Sequence, residues 1–119
     1  MPKPLFDELV HEPSRLQICG LLAPVVEARF ATVREETGLT DSALSKHLKA
    51  LEAAGYLETR KERAGARSTT VVRLTEVGRH AFCGHMAALQ RLAGVASVRD
   101  RGATSRRRVL IERTARAHS

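Results

Sequence analysis

The chain has 119 residues, a formal net charge of +7, 43% apolar residues and only four aromatic ones, Phe6, Phe30, Tyr56 and Phe82. That length suits one domain with a modest aliphatic core, and the apolar share excludes a disordered chain. No stretch nears the ~20 apolar residues of a membrane span and the N-terminus has no signal-peptide pattern, so a cytoplasmic protein is expected.

Leu5, Phe6, Leu9 and Val10 in "PLFDELVHE" (4–12) recur as a helix-like stripe. "HEPSRLQICGLLA" follows, with Pro13 suited to a first helical position, Leu16, Cys19, Leu22 and Ala23 on one side, and Pro24 as a stop. In "RFATVREETG" (29–38), Phe30, Val33 and Thr37 share a face and Gly38 ends the helix. Thr40 is a good N-cap for the next helix, 41–53, with Asp41 at the positive end of its dipole. After Gly55 the period shortens: "YLETRKER" and "RSTTVVRL" read as strands joined by "AGA" at 64–66, a basic hairpin. Thr75 caps a last helix from Glu76 to about 96, with Phe82, Met86, Leu89, Ala93 and Ala96 in one stripe. Residues 97–119 form a separate arginine-rich tail, a flexible linker followed by either a short terminal helix over 109–118 or a disordered end. The order predicts an α+β fold, mainly α, with one two-stranded ribbon.

Charge is unevenly placed. Residues 1–96 carry 13 Lys/Arg and 11 Asp/Glu, a net of +2, whereas 97–119 carry seven arginines and two acids, a net of +5. Within 40–75 the net is +3, seven cations against four acids. Polyanions are the partner class that this favours, nucleic acid first. Cys19 and Cys83 each lie in an apolar helical stretch and read as free buried thiols rather than a disulfide in a reducing compartment.

On a wheel at 100° per residue, Leu44, Leu48 and Leu51 fall together, and Ser45, Lys49, Ser42 and Lys46 fall opposite. A second short helix and a tight turn precede this one, the layout of a helix-turn-helix, and a basic hairpin follows. A helix of about 10–12 Å diameter fits the DNA major groove, where hydroxyls and ammoniums meet base edges and phosphates.

Residues 12 to about 95 resemble the compact winged helix-turn-helix transcriptional regulators of the MarR/ArsR type, in particular the short single-domain bacterial group. The matching stretches are "HEPSRLQICGLLA", "FATVREETGLTDSALSKHLKALEAAGYLE", the wing "RKERAGARSTT" and "VRLTEVGRHAF". The resemblance implies a recognition helix at 41–53, a wing at 58–74, a long C-terminal dimerisation helix, and homodimers that bind inverted-repeat operators, usually as repressors. On that basis Ser42, Ser45, Lys46 and Lys49 reach the groove or its phosphates, Thr40 meets phosphate at the helix start, and Arg63 and Arg67 at the wing tip meet the minor groove or backbone. His47, at the core boundary, is either structural or a phosphate contact.

The stripe of Phe82, Met86, Leu89 and Ala93 exceeds what one small domain covers, so it pairs with a second copy, helped by Leu5, Phe6, Leu9 and Val10; the alternative is that it completes a monomer core. His80, Cys83 and His85 supply fewer ligands than zinc takes, and no metal or cofactor is expected. An unknown small-molecule effector and a constitutive repressor are both compatible with the sequence. The tail is either a phosphate clamp or a flexible remnant. Phosphate loops, nucleophile elbows and paired-histidine motifs are missing, so the chain does not read as an enzyme. The rival class is a winged-helix protein-docking module without sequence-specific DNA binding, and it would show exposed apolar anchors where this helix carries serine and lysine.

Overall fold

The computed structural model describes residues 2–99, the side chains of 95–99 excepted; the arginine-rich segment 100–119 and the terminal helix expected at 109–118 lie outside the described residues. The elements are α1 (Glu8–His11), α2 (Pro13–Leu22), β1 (Ala28–Arg29), α3 (Phe30–Thr37), α4 (Asp41–Ala53), β2 (Leu57–Ala64), β3 (Arg67–Leu74) and α5 (Glu76–Arg99). This is the expected mainly helical fold with a β-wing, with three differences.

First, the N-terminal stripe is not helical through 4–7. Asp7 takes the N-cap of α1, its carboxylate accepting from the Val10 amide at 3.0 Å, and the Leu5 amide donates to the Gly84 carbonyl of α5 at 3.0 Å. With proline at 2 and 4, the segment has few amides for helical bonding and runs as a strap on α5. Only Val10 of that stripe is fully buried. Second, the ribbon has a third strand: the order is β1-β3-β2, antiparallel, with Ala28 opposite Val72 and Arg29 opposite Val71. Third, α5 continues to Arg99, past the expected end at 96.

The core of the body formed by residues 1–88 is aliphatic. Ile18, Cys19 and Leu22 of α2, Val33 of α3, Leu44, Leu48 and Leu51 of α4, and Leu57, Val72 and Leu74 of the sheet are all buried, with Val10. Each leucine so buried contributes roughly 1.5–3 kcal/mol. Burial, with Asp7 beside it, pushes the Cys19 thiol up to about 11, so it packs as a small apolar residue. The hairpin runs in unbroken register from Leu57 opposite Leu74 to Ala64 opposite Arg67, which leaves Gly65 and Ala66 as a two-residue turn. Gly65 has φ +66° and Ala66 no positive φ, the glycine-first pattern of a type II′ hairpin.

Candidate nucleic-acid interface

The amino end of α4 is built by short-range chemistry. Gly38, at φ +72°, ends α3 in the left-handed conformation, and the Thr40 hydroxyl accepts from the Ala43 amide at 3.1 Å. Arg34 of α3 donates to Asp41 at 2.8 Å, tying the first helix of the motif to the first turn of the second. Leu44, Leu48 and Leu51 face the core with 0%, 5% and 0% exposure. Thr40, Ser42, Lys46 and Lys49 are exposed and Ser45 is half-buried. Among the described residues neither lysine is engaged in an ion pair. The polar edge of α4 is therefore open, as the leucine spacing predicts.

His47 sits on the flank of that edge. Its Nδ1 lies 3.2 Å from Nη1 of Arg15 and 3.6 Å from Oε2 of Glu12. Glu12 is the N-cap of α2, accepting from the Arg15 amide at 3.0 Å, and the Arg15 Nε donates to the Leu9 carbonyl at 2.6 Å. Burial pulls the Glu12 carboxyl up, but the Arg15 and Ser14 amides, with His47 and the Arg15 guanidinium, outweigh it and hold the group below its ordinary value. Sequence reasoning missed Glu12 and Arg15 as partners of α4; "HEPSR" signalled only a helix start.

The wing sorts its cations by face. Side chains alternate along a strand and paired residues share a face. Lys61 and Arg63 project on the side of Leu57, Val72 and Leu74, which is the side packed on the helices, and Arg67 projects with Ala64 on the other. The two expected wing-tip arginines are both exposed, but they point to opposite faces. On the outer face Arg60 is held by Glu27 at 2.6 Å and Glu62 at 3.1 Å, and Arg73 by Glu58 at 2.7 Å. Lys61 donates to the Thr70 hydroxyl at 2.9 Å. The acids of the wing thus occupy Arg60 and Arg73, while no ion pair engages Lys61, Arg63 or Arg67 among the described residues.

Of the apolar residues expected to pair two copies, Leu5 is 73% and Phe6 46% exposed. Leu9 and Phe82 are half-buried against the chain's own core, so both serve the fold; Met86 and Leu89 are half-buried and Ala93 is exposed. His80, Cys83 and His85 do not converge. His80 and Cys83 border an open cleft of about 390 Å³ with Pro2, Glu76 and Arg79. His85 turns inward and is fully buried. Its Nδ1 accepts from the Asp7 amide at 3.0 Å, so its Nε2 carries the proton and donates to His11 Nδ1, also at 3.0 Å. The Phe6 ring lies 4.7 Å from both imidazoles, and the Tyr56 hydroxyl donates to Asp7 at 2.6 Å. Burial first, and then His11, lowers the His85 pKa against the opposing pull of Asp7. This linked set, spread over residues 6 to 85, had no signal in the sequence.

The sequence model of the winged helix DNA-binding domain family matches residues 14–93. An uncharacterised protein of Methanocaldococcus jannaschii is 38% identical over 68 residues, 57% of this chain and 74% of that one. The transcriptional regulator homologue protein from Pyrococcus horikoshii OT3 is similar in structure, with a TM-score of 0.72 at 28% identity, over 76% of this chain and 89% of the other. The PcaV transcriptional regulator from Streptomyces coelicolor, solved with its natural ligand, shares the fold at a TM-score of 0.66 and 22% identity, over 96% of this chain and 80% of that one. Both of these solved structures bear the names of transcriptional regulators, in keeping with the MarR/ArsR-type resemblance of the helix-turn-helix and wing. The chain belongs to the winged helix DNA-binding domain family.

Proposed function

We propose that the protein is a transcriptional repressor of the cytoplasm that binds an inverted-repeat operator as a homodimer, with α4 in the major groove and the wing on the backbone or minor groove. The observation that carries this reading is the orientation of α4. Its leucines are buried, and its outward edge offers Ser42, Lys46 and Lys49 with no intramolecular ion pair among the described residues. Ser45 lies beside that edge, and the exposed Thr40 hydroxyl and first-turn amides suit a phosphate. Arg63 and Arg67, on opposite faces of the wing, reach two directions from one tip. Lysine and serine carry little base identity compared with a bidentate arginine, so DNA shape supplies part of the selectivity. The residues that meet the second copy are Leu5, Phe6, Leu9, Phe82 and Met86 and, farther along α5, Leu89 and Ala93, and a two-fold pair sets its recognition helices about 34 Å apart.

Selection of bound duplexes from a random pool at two salt concentrations tests the reading, and a palindromic consensus is the expected result. Replacing Lys46 and Lys49 together with alanine removes two phosphate contacts from each protomer and four from the dimer, which lowers the magnitude of the slope of log affinity against log salt by about 3.6. Retained affinity and slope in that folded variant, or a pool with no enrichment, would instead favour a protein-docking role.

A further inference from the structure

The Arg15 guanidinium is fixed from three sides. Its Nε donates to the Leu9 carbonyl at 2.6 Å, Glu12 lies 3.8 Å from Nη1, and that same Nη1 lies 3.2 Å from Nδ1 of His47. Arginine has donors only and does not lose its proton in proteins. The closer partner of Nδ1 is therefore a donor, and Nδ1 accepts. Glu12, at 3.6 Å, is beyond hydrogen-bond distance from the same nitrogen. The imidazole proton consequently resides on Nε2. Among the described residues no buried side-chain nitrogen or oxygen lacks a hydrogen-bond partner; Nε2 has none among those residues, and it is therefore an accessible atom at the flank of α4.

We propose that Arg15 is a positioning residue for DNA binding: it locks His47 in the Nε2–H tautomer, so that a neutral N–H donor meets a backbone phosphate at the edge of the groove. The proposal rests on the DNA-binding reading above and deepens it. Lys46 and Lys49 bring charge, whereas His47 brings direction, because its ring is held from behind by a guanidinium that is itself anchored to α1. Glu12, 3.8 Å from Nη1, offsets the charge of Arg15 at that anchoring corner. The Arg15 link crosses from the α1–α2 corner to α4, so it fixes the ring relative to the body of the domain as well as to its own helix.

Two measurements test this. The ¹⁵N resonances of the His47 imidazole in the free wild-type protein at pH 7.5 should show an unprotonated Nδ1 and a protonated Nε2, and Arg15→Met should shift the ring toward a tautomer mixture. A wild-type ring protonated at Nδ1 overturns the proposal without reference to DNA. In the second measurement, affinity for a duplex that the wild type binds is compared across His47→Gln and His47→Leu. Glutamine keeps an N–H donor at about the same reach and should hold affinity near wild type, whereas leucine should lose about a hundredfold, as for one hydrogen bond to a charged acceptor from each of the two protomers. Equal affinity of wild type and His47→Leu refutes the role of His47 while leaving DNA binding intact. A wild type that binds no duplex removes the DNA-binding reading and this proposal with it. If Arg15→Met fails to fold, the wild-type resonances and the His47 pair still decide.

Discussion

Gly78 and Gly20 both sit inside helices, so propensity alone gives replacement by alanine the same sign at each, a gain of roughly 0.5–1 kcal/mol. The structure separates them. A Cβ on Gly78 would lie 2.0 Å from the Tyr56 carbonyl oxygen, 2.7 Å from its carbon and 2.9 Å from the Tyr56 Cα, all backbone atoms. Neither side can swing away cheaply, because the Thr75 amide donates to the Tyr56 carbonyl at 3.0 Å, the Thr75 hydroxyl donates to the Gly55 carbonyl at 2.6 Å, and the Gly78 amide donates to that hydroxyl at 3.0 Å. Forcing a methyl into such packing costs about 1–3 kcal/mol, with backbone-on-backbone contact at the upper end. After subtraction of the helix gain, Gly78→Ala should destabilise by about 2 kcal/mol. For a domain of this size that lowers the melting temperature by roughly 8–16 °C. A Cβ on Gly20 meets only the Phe82 ring, at 3.8 and 4.0 Å, so Gly20→Ala should raise it. Thermal unfolding followed by far-ultraviolet circular dichroism reads both variants. A Gly78→Ala protein that melts at or above the wild-type temperature would refute the close crossing of α5 over the α4–β2 turn.

Acid should loosen the N-terminal strap. His85 keeps both of its hydrogen bonds only when neutral, and its folded pKa lies below the ordinary 6.5. The unfolded chain therefore takes up its proton first, and stability that is complete at neutral pH declines as pH falls through about 6.5. Urea midpoints at pH 7.5 and 5.5 check this, and His85→Gln should narrow the difference between them. Tyr56 is the one tyrosine, and its hydrogen bond to Asp7, followed by burial, pushes its phenol up to about 12. A spectrophotometric titration of the folded protein with its midpoint near 10 would contradict that hydrogen bond. A thiol reagent should modify the half-buried Cys83 quickly and leave Cys19 untouched until the chain unfolds; two fast thiols per chain would place Cys19 wrongly.

What the sequence disclosed was what local chemistry dictates. Thr40, the leucines at 44, 48 and 51, and the glycines at 38 and 65 each act within a few residues of themselves, so α4, its orientation and the hairpin turn were legible. β1 was not, because two residues carry no period; the pairing of Ala28 and Arg29 exists only because β3 offers them an edge. The segment from Leu5 to Asp7 misled for the opposite reason: its apolar spacing is helical, yet its first amide is taken by Gly84, far along the chain. The link from Arg15 to His47 spans 32 positions and the one from His11 to His85 spans 74, separations that no motif records. The opposed directions of Arg63 and Arg67, by contrast, follow from the two-residue turn and could have been read from it.

The outer strand of the wing has one further consequence. β2 is a margin of the sheet, with β3 on one side and no strand beyond it among the described residues. Eight residues of extended chain along a free margin are a template onto which another polypeptide can zip. From Glu58 to Arg63 this margin carries charge at every position but Thr59, and a newcomer would have to strip water from each of those groups. The ribbon is thereby kept from polymerising with its own kind, and a variant with valine at Lys61 and Arg63 should aggregate on storage where the parent stays dispersed.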